Sequence, residues 1–99
     1  MAIAKYFTYI LINKNGTRTY TGSTTNLKLR VEQHNQGKVF TSKAYRPYNL
    51  LHKEEFLTLA EAMDREKFYK STSGRRKMKE IVARWKDINL IGESASPAK

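Results

Sequence analysis

Hydrophobic and polar positions fall into short runs of different period. Lys5 to Ile12 are mostly aromatic and aliphatic, several of them β-branched, which is the composition of a strand. Asn13-Lys14-Asn15-Gly16 follows, and Asn-Gly is a strong two-residue hairpin turn, so Thr17 to Gly22 should return as a second strand. Thr25 or Asn26 can cap a helix that runs to about Gln36, with Gly37 as its stop. Residues 38–49 carry breakers and basic groups and read as a surface loop. Tyr48 to Phe56 again has strand character. Thr58-Leu59-Ala60-Glu61 is a capping-box pattern that opens a second helix reaching about Lys70. Ser71-Thr72-Ser73-Gly74 interrupts that helix. Met78, Ile81, Val82 and Trp85 then stand at i, i+3, i+4 and i+7, one buried stripe on a third helix. The order β-β-α-β-α-α predicts an α/β (α+β) fold, a small three-stranded antiparallel sheet flanked by helices. Residues 1–90 should form one domain, and the small polar residues of 91–99 a disordered tail.

Charge adds a partner to this picture. The 99 residues include 19 Lys and Arg against 9 Asp and Glu, a formal net charge of +10. So large an excess on so small a chain points to a polyanion, with nucleic acid ahead of an anionic membrane surface. With no Cys there are neither disulfides nor thiolate metal sites, and two His are too few for a His-rich zinc site. The apolar run Phe7 to Ile12 is too short to span a bilayer and is followed by no small-residue cleavage site. No helix pairs a basic face with an apolar face rich in Phe and Leu, so a membrane role is not expected. A cytoplasmic protein is the expectation.

Three places combine position with chemistry. In the hairpin, a two-residue turn at Asn15-Gly16 pairs Lys14 with Thr17, sets Tyr9 opposite Gly22 and Leu11 opposite Tyr20. Tyr9 and Tyr20 then share a face, one diagonal step apart, and Gly22 leaves space beside Tyr9. Two core aromatics are the plain reading; a phenol can also present its hydroxyl to a substrate. In the first helix, Arg30 and His34 stand at i, i+4 and flank the Leu27/Val31 stripe at roughly 60°, at the edge of the buried face. Arg offers a planar fork of donors suited to phosphate, and His can move protons near neutral pH. In the second helix, Leu59, Ala62, Met63 and Tyr69 form the apolar arc, and Glu66 falls inside it at about 100° per residue. A carboxylate there needs a cation, a donor network or a metal.

Together these residues resemble the GIY-YIG endonuclease superfamily, most of all its short stand-alone bacterial members and more distantly the nuclease domain of excision repair. Phe7-Thr8-Tyr9 and Tyr20-Thr21-Gly22 stand as its paired motif across a turn. Arg30 and His34 match its helix, and Glu66 its single metal-binding glutamate. Phe7 and Thr8 replace the Gly and Ile of the first motif, and Thr21 the Ile of the second. Where many relatives carry an Asn, this chain has Ser71, Thr72 and Ser73. The resemblance covers about residues 5–86.

That resemblance implies a metal-dependent endonuclease, cleaving DNA rather than RNA, in a structure-directed role such as repair or recombination. It implies one divalent ion, Mg²⁺ (or Mn²⁺), on Glu66 with water and the scissile phosphate, a donor set that Mg²⁺ tolerates. Arg30 would meet the charge on the phosphate. One of Tyr9 and Tyr20 would take the proton of the attacking water, with help from Arg30, the metal or His34, because a free phenol has a pKa of about 10. Lys38, Lys43 and Arg46 after the first helix, and Arg75, Arg76, Lys77 and Lys79 opening the third, would grip phosphates without reading sequence. Specificity would then come from the structure of the nucleic acid or from a protein partner. The alternatives are a non-catalytic DNA- or RNA-binding module on the same fold and a structural protein of a ribonucleoprotein. A pure binder does not need Tyr9, Tyr20, Arg30, His34 and Glu66 together.

Nucleic-acid binding should weaken steeply with salt, because several phosphates are neutralised and their counterions released. A log–log plot of affinity against salt that is flat would remove nucleic acid from the account.

Overall fold

The computed structural model describes residues 5–91. Strands β1 (Tyr6–Asn13) and β2 (Thr19–Thr24) lead to helix α1 (Leu27–Asn35), strand β3 (Tyr48–Phe56), and helices α2 (Leu59–Lys70) and α3 (Thr72–Lys86). The fold is the expected α+β arrangement, with all three strands in one antiparallel sheet of order β2-β1-β3. The tail proposed for 91–99 lies, beyond Ile91, outside the described residues.

Strand β1 is central because both of its faces are covered. Tyr9 and Leu11 point to one face, where with Tyr48 they form a core that Leu27 and Val31 of α1 close. Thr8, Ile10 and Ile12 alternate to the other face and are equally buried. There the Thr8 hydroxyl donates to the Ala62 carbonyl of α2 at 2.6 Å. Ala62, with almost no side chain, lets the helix come that close.

The hairpin has the expected register, with Tyr9 opposite Gly22 and Leu11 opposite Tyr20. Its turn is different. A two-residue Asn-Gly turn needs positive φ at both central residues, and only Gly16, at φ +74°, has it. Asn13 closes a longer loop instead. Its carbonyl accepts from Gly16 N at 2.9 Å, and its side-chain oxygen accepts from the backbone of Thr17 and Arg18, both at 2.9 Å. The loop spans an even number of residues either way, so every side chain keeps its face.

Asn26 caps α1 by accepting from Leu29 N. At the other end Gly37 N bonds to His34 O and Lys38 N to Gln33 O, a Schellman closure. Asn35 then fastens α1 to β3, donating to Tyr48 O at 3.1 Å and accepting from Tyr48 N at 2.6 Å. The segment 38–49 is not wholly a surface loop: it holds a short 3₁₀ turn at Lys43–Tyr45, and Ser42 and Tyr48 are buried.

Thr58 caps α2 as its sequence predicts, but the buried arc is narrower than the apolar positions suggest. Ala62 and Tyr69 are buried, whereas Leu59 and Met63 are each 46% exposed. The contact of Thr8 with Ala62 sets which side of the helix faces the sheet, and that side carries Arg65 and Glu66 along its borders. Arg65 Nε donates to Glu54 of β3 at 2.8 Å, and the Tyr69 hydroxyl donates to the same carboxylate. Glu54 is held below the usual carboxylate range by Tyr69, His52 and Arg65, which together outweigh the opposing effect of burial, the largest single influence.

The interruption expected at Ser71–Gly74 is a single extended residue, Ser71, between α2 and α3. Ser71 ends one helix and caps the next, donating to Phe68 O and accepting from Gly74 N. The turn is so tight that a Cβ on Gly74 would lie 1.7 Å from the Phe68 carbonyl oxygen. Gly74→Ala must therefore push α3 away from α2. We expect a loss of about 3 kcal/mol in urea unfolding, the upper part of the usual overpacking range. A variant as stable as the parent would mean that the two helices do not meet this closely.

Candidate active site

Five candidate residues were expected to act together, and the structure gathers three of them in one line of hydrogen bonds. Arg30 Nε donates to the Tyr9 hydroxyl at 3.4 Å. That hydroxyl is 2.9 Å from His34 Nε2, and His34 Nδ1 is 2.6 Å from Ser42 Oγ. Ser42 in turn donates to Val39 O at 3.4 Å. The arginine can only donate and the carbonyl can only accept, so the protons between them follow. Tyr9 donates to Nε2, and Nδ1–H donates to Ser42.

This relay explains each residue's environment. His34 is fully buried and Tyr9 is 1% exposed. Gly22 leaves the room expected of it, and the Tyr9 hydroxyl fills that room: a Cβ there would stand 2.6 Å from the oxygen. Burial pushes the Tyr9 phenol up against the opposing pull of Arg30. Burial, with the charge of Arg30, pushes His34 down to about 4. His34 is therefore a neutral imidazole at physiological pH, not the near-neutral proton carrier its residue type suggests. It positions Tyr9 from behind and does not face the surface. The hydrogen bond to Tyr9 keeps Arg30 firmly charged, and its other arm reaches Gln33 Oε1 at 3.2 Å.

Tyr20 is placed differently. Its ring packs against His34 at 4.5 Å between centroids and against Tyr9 at 6.3 Å, yet it is only half-buried. Arg30 lies within Coulombic reach of both phenols. A groove of about 720 Å³ opens beside Tyr20 between edge strand β2 and α3. Its floor includes Met78 and Val82, and Lys70, Arg75 and Lys79 contribute its basic rim.

Glu66 is at the border of the α2 face, 25% exposed, and not sealed inside an apolar arc. Ser23 donates to one carboxylate oxygen at 2.7 Å and Lys70 to the other at 2.8 Å. Glu66 still acts on Tyr9 through its charge. Among the described residues no group of three or more His, Cys, Asp or Glu could hold a metal ion. A lone carboxylate with open sides does fit Mg²⁺, which keeps most of its shell as water and takes phosphate oxygens readily. The exposed Lys70 is the cation now seated there.

The predicted phosphate grips lie on two surfaces. Lys38, Lys43 and Arg46 are exposed on the loop after α1, although Arg46 is partly spent on Lys43 O at 2.8 Å. Arg75 and Lys79 line the groove, Arg76 a smaller depression beside it, and Lys77 is exposed and borders neither. Ser71 is occupied as a helix cap. Ser42 and Ser23 escaped the sequence reading because no local pattern marks them; Lys70 was legible as the i+4 neighbour of Glu66.

A fold of this kind, with paired tyrosines on a hairpin, an arginine and histidine one helical turn apart, and a lone glutamate, defines a class. Residues 5–80 match the GIY-YIG catalytic domain, and the chain belongs to that family. It is 40% identical over 83 residues to a UPF0213 protein of Staphylococcus haemolyticus, covering 83% of this chain and all of that one. To a UPF0213 protein of Bacillus velezensis it is 36% identical over 78 residues, 78% of each chain. The solution NMR structure of the UPF0213 protein of Bacillus halodurans is similar at 32% identity and a TM-score of 0.47, covering 78% of this chain and 82% of that one. No helix among the described residues is long and apolar enough to cross a membrane.

Because folded His34 stays neutral down to about pH 4 while a free imidazole protonates near 6.5, the unfolded chain takes up that proton first. His34 should therefore cost stability progressively as pH falls from 6.5 towards 4, and change nothing above 6.5. Its ring resonances, followed by NMR, should titrate near 4. A midpoint above 6 would mean that the relay does not hold in solution.

Proposed function

We propose that this chain is a metal-dependent endonuclease that hydrolyses phosphodiester bonds in nucleic acid, with DNA the expected substrate, and that Tyr20 is its general base. The observation that carries the choice of tyrosine is the direction of the relay. The Tyr9 proton is committed inward to His34 and its oxygen is already capped by Arg30. Tyr9 thus has no free side for a water molecule, whereas the Tyr20 ring reaches the groove.

In this reading a phosphodiester lies along the β2 edge. Arg30 faces the phosphate oxygens as charge grows on them. Tyr20 would first release its phenol proton to solvent. A water then attacks phosphorus and gives its proton to the Tyr20 oxygen, the bond to the leaving oxygen breaks, and that oxygen takes up a proton from solvent. Tyr9 and His34 hold Arg30 and the Tyr20 ring in place from behind. Glu66 would hold one Mg²⁺ or Mn²⁺ after Lys70 swings away, and when bound the ion supplies neutralisation of the leaving oxygen's charge. Lys70, Arg75, Arg76 and Lys79 bind phosphates on the α2–α3 side, and Lys38, Lys43 and Arg46 on the α1 side. These contacts suit structure-directed cleavage, with any finer specificity coming from a protein partner.

Purified variants assayed on duplex, branched and single-stranded DNA and on RNA, with Mg²⁺ and Mn²⁺, test this. Tyr20→Phe should slow cleavage by about two orders of magnitude, the usual scale for a lost general base, and leave binding intact. Glu66→Gln should abolish cleavage yet melt close to the parent, because an ion pair with an exposed lysine is worth only a few tenths of a kcal/mol, about 0.3–0.5. Full activity in Tyr20→Phe would end the Tyr20 mechanism. A fully active Glu66→Gln would end the metal assignment.

A further inference from the structure

The loop after α1 carries a surface that the cleavage chemistry does not use. Phe40 is 81% exposed, the highest value among the large apolar side chains of the described residues. Exposure alone means little, since single apolar groups are common on surfaces. Its company is the distinguishing feature. Lys43 Nζ sits 5.3 Å from the centre of the Phe40 ring. Two residues on, Tyr45 is 44% exposed and carries the Arg18 guanidinium 4.4 Å above its ring. Two aromatic–cation pairs thus draw on the same short stretch of chain, Phe40 to Tyr45. Between Glu32 and Glu54 the chain has no acidic residue at all, while Lys38, Lys43, Arg46 and Lys53 fall in that span. The cations of this loop have no carboxylate of their own segment to meet.

The loop is also fastened to the candidate site. Ser42, between Phe40 and Tyr45, is the residue that accepts from His34 Nδ1, and Tyr48 donates to its carbonyl at 2.9 Å. Arg18 continues the face of β2 that bears Tyr20. Tyr45, Arg18 and Tyr20 all lie within electrostatic reach of the Tyr48 hydroxyl. An exposed ring, cations beside it and a fixed distance to the relay are what a stacking site for single-stranded nucleic acid requires: every base has a π-face, and every link carries a charge.

We propose that this loop is a stacking platform for an unpaired nucleobase next to the scissile phosphate, with the Phe40 ring taking the base and Lys43 and Arg18 the flanking phosphates. The platform deepens the nuclease reading, on which it rests, by naming the substrate feature recognised: a nucleotide outside a duplex. Bases inside a duplex are already stacked on their neighbours, which leaves Phe40 little to take up.

The test measures binding by fluorescence anisotropy in EDTA, so that nothing is cleaved, with a labelled single-stranded oligodeoxynucleotide and a blunt duplex of the same sequence. Phe40→Ala should weaken single-strand binding by roughly tenfold, within the range expected for losing one stacked base, and duplex binding by less than about twofold. Phe40→Leu should behave like the alanine variant, and Phe40→Trp should bind at least as tightly as the parent. The salt slope for single strands should be unchanged by Phe40→Ala, because stacking releases no counterions, and reduced by about 0.7 in Lys43→Ala. Phe40 touches little, so each variant should melt like the parent. Equal single-strand affinity in Phe40→Ala and the parent, or a loss shared equally by the duplex, would overturn the platform. So would Phe40-dependent binding to phosphatidylserine vesicles without such dependence on single strands. A parent that cleaves with Tyr20 and Glu66 in their roles while Phe40→Ala binds normally defeats the platform alone. A parent that binds neither probe defeats the nuclease reading as well.

Discussion

A single polar interaction, the hydrogen bond between the Tyr9 hydroxyl and His34 Nε2, governs how the sheet and α1 meet. Both groups are buried, and a buried polar group without a partner costs about 1–3 kcal/mol. The bond therefore fixes α1 in rotation as well as in distance, where apolar packing by Leu27 and Val31 would tolerate some slippage. Arg30, one turn before His34, inherits its direction from that rotation. Ser42 inherits its position from the other ring nitrogen, and with it the whole segment that leads to β3. Gly22 is required for the same reason, since any side chain there would displace the hydroxyl. Among the described residues no buried side-chain polar atom lacks a partner.

Much of the fold was legible because short-range physics decides it. The hairpin register follows from where the chain reverses, so the pairing of Tyr9 with Gly22 could be read from Asn15-Gly16. The turn itself could not, because the Asn13 side chain takes over bonds that the backbone would otherwise make. Thr58 and Asn26 mark helix starts through their own side chains, and the starts of α1 and α2 matched for that reason. The buried arc of α2 was misread because counting apolar residues on a wheel ignores the partner surface. Thr8 draws the helix in at Ala62, which leaves Leu59 and Met63 in water and brings the borders with Arg65 and Glu66 against the sheet. Of the candidate site, the sequence shows which residue types share a face. It does not show that Tyr9 turns inward, since that depends on Ser42, in a stretch with no periodicity to mark it.

The pairing of Glu66 with Lys70 bears on how the site is built. Ser23 and Lys70 together satisfy both carboxylate oxygens, so the folded protein does not depend on an ion to keep an acid at the sheet's edge. The two halves of the site are also unequal in stiffness. On the relay side Tyr9, His34 and Ser42 are buried. The carboxylate side is more open and held by a long, exposed lysine chain, which would let the proposed exchange of Lys70 for a metal ion take place.

The order in which these parts occur along the chain has a consequence during synthesis. Tyr9 and Tyr20 lie near the start, Arg30 and His34 follow, and Glu66 comes forty-three positions after the serine it binds. A ribosome-bound chain that has released only the hairpin and α1 already holds most of the polar groups, but neither Glu66 nor the helix that meets the Thr8 face of β1. On the proposed mechanism such a chain cannot cleave, and one face of its sheet is still uncovered. The last residue of the candidate site and the cover for the second face of the core arrive on the same helix, so both are completed in one event.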